Sequence, residues 1–199
     1  MKTIGIVHLL PPYIPVPPHY YGGTERVAYA LFKKLHEIRH SEDYPILPIL
    51  IGKISTSIDK HLSEYIINID DLIPDADKLN IHVFMFHILG KVEAIKREFC
   101  MDRILIHNHV IQRDSWIHLA YTKYKSLSTL HYDPPLLAHF RLRIILPKNT
   151  LFGAISQNQY LRLKSILGPN LIAYVHNGLE LREYPFSRSK DDYFISINI

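Results

Sequence analysis

The sequence predicts an α/β protein with a doubly wound, mostly parallel sheet. Short apolar segments with the pattern of strands buried on both faces alternate along the chain with longer segments of helical period. The chain has 199 residues, of which 47% are hydrophobic and 21% are charged. This composition supplies enough apolar surface for a buried core and excludes a disordered chain.

The first fifty residues have the pattern of a strand, a loop, a helix and a second strand. Thr3–Leu9 is a nearly continuous apolar run, and a proline-rich loop follows it and ends at Gly22 and Gly23. Thr24 is the predicted N-cap of the helix, and Ile46–Ile51 is the second strand. The helix is expected to bury one apolar stripe, formed by Val27, Leu31, Leu35 and Ile38.

The same alternation continues along the rest of the chain. The predicted strands are Tyr65–Ile69, which has the weakest pattern, Ile104–His107, Leu127–Leu130, Leu151–Ile155 and Leu171–Val175. The predicted helices are Asn80–Phe99, with Val83 on its apolar face, Trp116–Tyr124, and Gln157–Ile166 with Ser156 as its N-cap. Tyr193–Ile199 has the pattern of a further strand behind a polar stretch, which suggests that the chain stops before a second domain.

Composition and charge exclude several classes of protein. The net charge of +4 is spread along the chain, which suits an anionic small ligand but lacks the dense basic stripe of a nucleic-acid binder. A single cysteine, Cys100, excludes a disulfide scaffold and favours a reducing compartment.

No apolar run approaches the roughly 20 residues of a membrane span, and prolines follow Ile4–Leu10 where a signal peptide would be cleaved. We therefore expect a cytoplasmic protein. The basic and apolar segment 140–148 fits either an ordinary surface helix or contact with the anionic inner face of a membrane.

Polar residues follow several of the predicted strands at their carboxyl ends, where parallel sheets bind ligands. These residues are His8, His107, His109, His131, Ser156, Asn177 and Gly178. Gly22 and Gly23 precede a helix, so they form either a phosphate site made of backbone N–H groups or simply a turn. Glu25 lies in the first turn of that helix, where its charge interacts favourably with the helix dipole.

The histidines allow more than one chemistry. His107 and His109 alternate along a strand and point to one face, so they fit either a metal site completed by Asp114 or Asp133, or one core and one rim histidine. His131 could contact an anionic leaving group or a sugar hydroxyl, or brace the loop that follows it. Asp133 could be a general base or a turn residue before two prolines.

The motifs at these strand ends follow one another in an order that is known from a protein family. Tyr20–Val27 resembles the YGGTERVV segment, and Asp102–His109 the D-x-I-x-H-x-H strand, of the GT-B-fold glycosyltransferases of family 4. Thr129–His131 is similar to the strand of this family that ends in a catalytic-site histidine. Ala154–Ser156 and Val175–Leu179 resemble its A-x-S and NGID segments.

The resemblance implies a Rossmann-like, acceptor-binding domain that is one half of a GT-B fold. It implies a retaining, metal-independent transferase without a cofactor, which moves a sugar from a nucleotide-sugar donor to a glycan, lipid-linked or small-molecule acceptor. By the same resemblance, Gly22 and Gly23 face the donor pyrophosphate, His131 is catalytic and contacts the transferred sugar or its phosphate, and His109 lines the acceptor side. The further candidates for binding sugar or acceptor are Glu25, Asp133, Asn177 and Gly178.

The chain departs from the family pattern in ways that limit what it is expected to do alone. Residues 1–185 are expected to form the acceptor-binding domain, and residues 186–199 a linker and the first strand of a donor domain. The Glu-x7-Glu element of that donor domain is absent here, and Glu180 stands where the NGID segment has Asp. We therefore expect activity to need a donor domain, in cis or in a partner chain. The alternatives are a stand-alone carbohydrate- or nucleotide-binding module and a metal-dependent hydrolase built on His107, His109 and an aspartate.

Overall fold

The computed structural model describes residues 3–19, 21–42, 45–110, 115–120, 122–132 and 149–178. Within these residues, seven strands form one sheet in which every pair of neighbours is parallel. The strands are β1 (Ile4–Leu9), β2 (Ile46–Gly52), β3 (Ile66–Asn68), β4 (Arg103–Asn108), β5 (Lys125–Leu130), β6 (Thr150–Ala154) and β7 (Ile172–Tyr174). The helices are α1 (Gly23–Glu42), α2 (Ile69–Leu72), α3 (Ile81–Glu98), α4 (Ser115–Ala120) and α5 (Gln157–Leu167), with a 3₁₀ helix at Lys60–Tyr65. The predicted Rossmann-like α/β class is confirmed.

The strand order β3-β2-β1-β4-β5-β6-β7 reverses direction beside β1. After β3 the chain returns past β1 to form β4, so β1 and β4 are neighbours that border the switch in direction. Their register pairs His8 with His107 and Leu9 with Asn108. Ligands in sheets of this kind bind beyond the carboxyl ends of the strands at such a switch point, so the fold itself indicates where to look for a site.

Helices cover both faces of the sheet, because successive residues of a buried strand point to opposite sides. Val7 and Ile49 pack with the buried face of α3 in the larger apolar core. Leu50 packs on the other side with Phe32 of α1. A smaller core between β5–β7 and α5 includes Phe152. This division into two layers of helices is the doubly wound arrangement that the sequence predicts.

The buried face of α1 differs from the predicted stripe. The predicted residues Val27, Leu31, Leu35 and Ile38 are only half-buried. The buried residues lie about one position further along the helix and are Glu25, Ala28, Tyr29, Phe32 and His36. The aromatic ring of Phe32 fills the space above β1 and β2, and the His36 Nε2 atom bonds the carbonyl of Pro48 at 3.1 Å. These two contacts set the rotation of α1 about its own axis. The pattern of hydrophobic residues in the sequence does not predict them.

Smaller differences concern the ends of elements. Helix α1 begins at Gly23, and the carbonyl of Gly22 accepts a bond from the Arg26 N–H group at 2.9 Å, so Gly22 rather than Thr24 holds the N-cap position. Helix α4 ends at Ala120 instead of Tyr124. Val83 of α3 is 45% exposed, and Met85 is buried in its place. The 3₁₀ helix and α2 are too short to leave a periodic pattern in the sequence.

Two predicted features lie outside the described residues. These are the basic and apolar segment 140–148 and the linker and strand assigned to 186–199. Among the helices that the structure describes, none is both long and apolar enough to cross a bilayer.

The N-cap of α5 provides a test of local stability. The Ser156 Oγ atom accepts a bond from the Gln159 N–H group at 3.2 Å, so Ser156→Ala should lower the free energy of unfolding by about 1 kcal/mol. Ser165→Ala is a matched control, because it removes a hydroxyl from the same helix that only donates to the Arg162 carbonyl. Urea unfolding followed by circular dichroism measures both. Equal losses for the two variants would contradict the capping role.

Candidate functional site

The carboxyl ends of three neighbouring strands bring four histidines together. His8 lies near the end of β1, His107 in β4, His109 directly after β4, and His131 directly after β5. The backbone N–H group of His109 donates to the Leu9 carbonyl at 2.9 Å, which continues the β1–β4 pairing beyond the strand itself. We call His8, His107, His109 and His131 the histidine cluster.

The rings of the histidine cluster are in contact with one another. The ring centroids of His107 and His109 are 4.1 Å apart, which confirms that both side chains point to one face. The His8 centroid lies 5.2 Å from that of His107 and 5.8 Å from that of His109. The ring of His131 stacks on that of His109, with the centroids 5.2 Å apart. His8, His107 and His109 are buried, whereas His131 is half-buried at the rim.

Hydrogen bonds orient some of these rings and leave others without a protein partner. The His107 Nε2 atom lies 2.7 Å from the Thr129 hydroxyl, and the His109 Nδ1 atom lies 2.9 Å from His131 Nε2. Within the part of the chain that the structure describes, both ring nitrogens of His8 and the Nε2 atom of His109 are buried without a hydrogen-bond partner. Buried polar atoms are normally paired, so these three nitrogens are sites where a ligand would be stabilised.

The histidine cluster is neutral at physiological pH. Burial lowers the pKa of His131 to about 4, and burial together with the nearby His131 lowers the pKa of His107 to about 4. Burial, followed by repulsion from neighbouring histidines, lowers the pKa of His8 and His109 well below the usual value. A neutral imidazole offers one N–H donor and one acceptor nitrogen, so the cluster contributes hydrogen bonds instead of positive charge.

A cleft of about 380 Å³ opens beside the histidine cluster. Its described lining consists of Val27, Ala30, Leu31 and Lys34 of α1, His107, His109 and Thr129 of the sheet, and the segment Val175–Gly178. Three predicted binding residues, His109, Asn177 and Gly178, therefore meet in one cleft. Val27 and Leu31, two half-buried residues of the stripe predicted for α1, lie in the apolar wall of this cleft.

The other predicted site residues lie elsewhere or outside the described chain. His131 reaches the cleft residue His109 but is not itself among the described lining residues, and neither are Gly22, Gly23 and Glu25. Asp133 lies outside the described residues. His131 and His109 are thus brought into contact, whereas the glycine pair lies at the start of α1, separate from the described lining of the cleft.

The two glycines at the start of α1 have different environments. Gly22 has a φ of +137°, and a Cβ atom there would lie 2.9 Å from the Pro18 Cβ atom and 3.2 Å from Glu25 Oε2. Gly23 is exposed, and a Cβ atom there would meet no atom within 4 Å. Glu25 is buried, and this burial raises the pKa of its carboxyl group, although a backbone N–H group of the same residue opposes the shift. The accessible end of the helix is therefore at Gly23.

Two buried polar residues that the sequence analysis did not select hold the strand ends in place. Asn108 donates to the hydroxyls of Ser115 and Ser128 at 3.1 and 3.2 Å, and its side-chain oxygen accepts from the Val110 N–H group. Its position between the two histidines of β4 is the only signal that the sequence offers for it.

Gln159 holds the loop that follows β5. Its Oε1 atom accepts from the Ile155 N–H group at 2.8 Å, and its Nε2 atom donates to the carbonyl of Tyr132 at 3.2 Å. This bond fixes the backbone directly after His131. The spacing Ser156-x-x-Gln159 matches a capping box, which is the sequence pattern that identifies this residue.

Comparison with known proteins supports the fold. No protein-family model matches the sequence, and no curated protein matches it. Among solved structures, the chain is similar to a glycosyltransferase from Rickettsia africae ESF-5, with a TM-score of 0.56 and 18% sequence identity. The match covers 92% of this chain and 45% of the other. The chain has the fold of that part of a glycosyltransferase. It spans a little under half the length of the solved structure.

Alanine substitutions at Gly22 and Gly23 should have different effects on the free energy of unfolding. Gly22→Ala should lower the free energy of unfolding by about 1–3 kcal/mol, because alanine is strained at a φ of +137° and its Cβ atom meets Pro18. Gly23→Ala should change it by less than about 0.5 kcal/mol, because the space is open. Thermal and urea unfolding measure both variants. A neutral Gly22→Ala variant would show that the loop relaxes without cost.

Acid should destabilise the fold through the histidine cluster. The unfolded chain protonates its histidines near pH 6.5, whereas His107 and His131 stay neutral in the fold down to about pH 4. The contribution of these two histidines to the free energy of unfolding is therefore fully retained above pH 6.5. As the pH falls toward 4, the free energy of unfolding decreases by about 1.4 kcal/mol per pH unit for each histidine.

His131→Gln measures the share of one histidine in this loss. Between pH 6.5 and 5, the free energy of unfolding of this variant should fall by about 2 kcal/mol less than that of the unsubstituted chain. His61→Gln, at an exposed position outside the histidine cluster, is the control for the loss of an imidazole. The free energy of unfolding in urea at each pH is the measurement. An unchanged slope for His131→Gln would mean that its imidazole is already charged in the fold.

Proposed function

We propose that this chain is the acceptor-side half of a retaining glycosyltransferase. In this proposal it moves a sugar from a nucleotide-sugar donor to a glycan, lipid-linked or small-molecule acceptor. The observation that carries the proposal is the position of His131, which contacts His109 at the edge of a cleft beyond the carboxyl ends of the strands. The fold shared with part of a glycosyltransferase supports it.

His131 is proposed to act on the leaving group as a hydrogen-bond donor. Transfer breaks the bond between the anomeric carbon and the donor phosphate, and forms a bond to the acceptor hydroxyl, whose proton goes to the departing phosphate. Because burial lowers its pKa to about 4, the imidazole is neutral and meets the developing charge through an N–H group. A donor aimed at charge that develops in the transition state is worth more than one that binds the ground state.

The start of α1 is proposed to face the donor diphosphate. The exposed Gly23 presents its backbone N–H group at the positive end of a 20-residue helix, and the space where a side chain would lie is open. Gly22 supports this site through its conformation. In this proposal the amide groups and the helix dipole meet the charge of the leaving group, and the transfer step itself needs no metal or other cofactor.

The cleft is proposed to hold the acceptor. His109, Asn177 and Gly178 supply its polar groups, and the half-buried Val27, Ala30 and Leu31 of α1 supply an apolar wall. Glu25 and Asp133 remain candidates for sugar binding, although Glu25 is buried beside Gly22. We propose a cytoplasmic location, and a lipid-linked acceptor would agree with contact of residues 140–148 with the inner face of the membrane, which is one of the two alternatives for this segment.

A donor domain must complete the site in this proposal. Residues 1–185 form the acceptor-binding domain and residues 186–199 lead into a second domain, which lies in the same chain or in a partner. The chain alone is then inactive, and nucleic acid is not among its partners because its charge of +4 is small and spread.

The proposal is tested on the product of the complete natural reading frame that contains this sequence. With a panel of nucleotide sugars and acceptors, His131→Ala should lower kcat by about 100- to 1,000-fold and change KM little, because the lost hydrogen bond forms in the transition state. His61→Ala, at an exposed position, is the matched control and should keep full activity. Release of nucleoside diphosphate, together with mass spectrometry of the acceptor, measures turnover.

Two outcomes would count against transfer. Full activity of His131→Ala would show that this residue is not catalytic. If the complete product or its complex with a partner binds a sugar or nucleotide sugar but never turns it over, the chain is the carbohydrate- or nucleotide-binding module that the sequence also allows.

A further inference from the structure

The inner side of the histidine cluster has the donor set of a metal site. His8, His107 and His109 each offer one ring nitrogen, and these three nitrogens all lie within 4.8 Å of one another. Nitrogens that bind zinc tetrahedrally lie about 2.0–2.1 Å from the ion, and therefore roughly 3.4 Å apart. To bind one ion, the nitrogens must therefore approach one another by at most about 1.4 Å.

The partners of these rings match those of metal ligands. The Nε2 atom of His109 is buried and unpaired within the described residues, while its Nδ1 atom lies 2.9 Å from His131. When Nδ1 donates to His131, Nε2 carries a free lone pair that an ion can accept. The Thr129 hydroxyl holds the ring of His107 at 2.7 Å in a similar way. Both nitrogens of His8, which is fully buried, are likewise unpaired among the described residues.

The chemistry of the donor set selects the kind of ion. The group contains three imidazoles and no carboxylate, which suits zinc and its neighbours in the first transition row and does not suit magnesium or calcium. His107 and His109 also line the cleft, so a water molecule can reach the ion from that side. Three histidines and one exchangeable water are the coordination of an open zinc site.

We propose that His8, His107 and His109 bind one divalent transition-metal ion of the zinc class, that His131 orients His109, and that a water from the cleft is the fourth ligand. The inference goes beyond glycosyl transfer and does not depend on it, because the ion is bound by this chain without donor or acceptor. The site also differs from the aspartate-containing site considered from the sequence, since His8 takes the place of the third ligand. Asp114 and Asp133 lie outside the described residues.

The test uses the purified chain, stripped of metal with a chelator and titrated with Co²⁺. We expect one ion per chain and a visible absorption band of tetrahedral Co²⁺ that Zn²⁺ abolishes by displacement. His109→Ala should remove the band, and His131→Ala should weaken binding by about 10- to 100-fold, as the loss of an outer partner does. The matched control is His82→Ala with His118→Ala, a surface pair whose ring nitrogens lie 2.8 Å apart.

The outcomes are separable. The proposal is overturned if no band forms, if the band survives in folded His109→Ala, or if it disappears in the surface double variant. Circular dichroism establishes that each variant is folded. Should His109→Ala unfold, ¹⁵N resonances of the histidine rings in the unsubstituted chain decide: Zn²⁺ must shift those of His8, His107 and His109, and shifts confined to His82 and His118 would refute the site.

Discussion

Four imidazole rings pack against one another at the carboxyl ends of β1, β4 and β5, and the organisation of this edge depends on their remaining uncharged. Protonating one ring would place a charge among buried neighbours, and a second charge would repel the first. Burial prevents this by holding the pKa values of His107 and His131 near 4. The result is a dense set of donors and acceptors in which some nitrogens, including both of His8, have no partner among the described residues.

The parallel register of the sheet makes this packing possible. His8 and His107 are direct neighbours across β1 and β4, and the Leu9 carbonyl draws the backbone of His109 into the same row. Polar residues around the row hold it in place: Asn108 binds the turn after β4, and Gln159 binds the loop after β5. Each of these residues is buried and satisfied by its bonds, so together they give the rings fixed positions.

The same edge carries two surfaces with different chemistry. The cleft is bounded by an apolar stripe of α1 and by the polar atoms of His109 and Asn177. Such a combination suits a ligand with both apolar and hydroxyl-bearing surfaces. At the start of α1, Gly22 provides the conformation and Gly23 the access.

The sequence by itself determined the order of the seven described strands and of the four longer described helices, because buried parallel strands and amphipathic helices leave strong apolar patterns. Ser156 as an N-cap and the shared face of His107 and His109 follow from local geometry, and both are confirmed. Local patterns did not predict the rotation of α1, since packing of Phe32 and the bond of His36 to Pro48 set it.

Only the tertiary structure decided which polar residues meet. His8 and His131 are separated by more than one hundred residues, and they belong to one cluster because β1, β4 and β5 are neighbours in the sheet. Strand order and register depend on contacts between distant segments, which no local periodicity contains. For the same physical reason, the sequence marks His109 and Asn177 as candidates one by one, whereas their common cleft appears only in the folded chain.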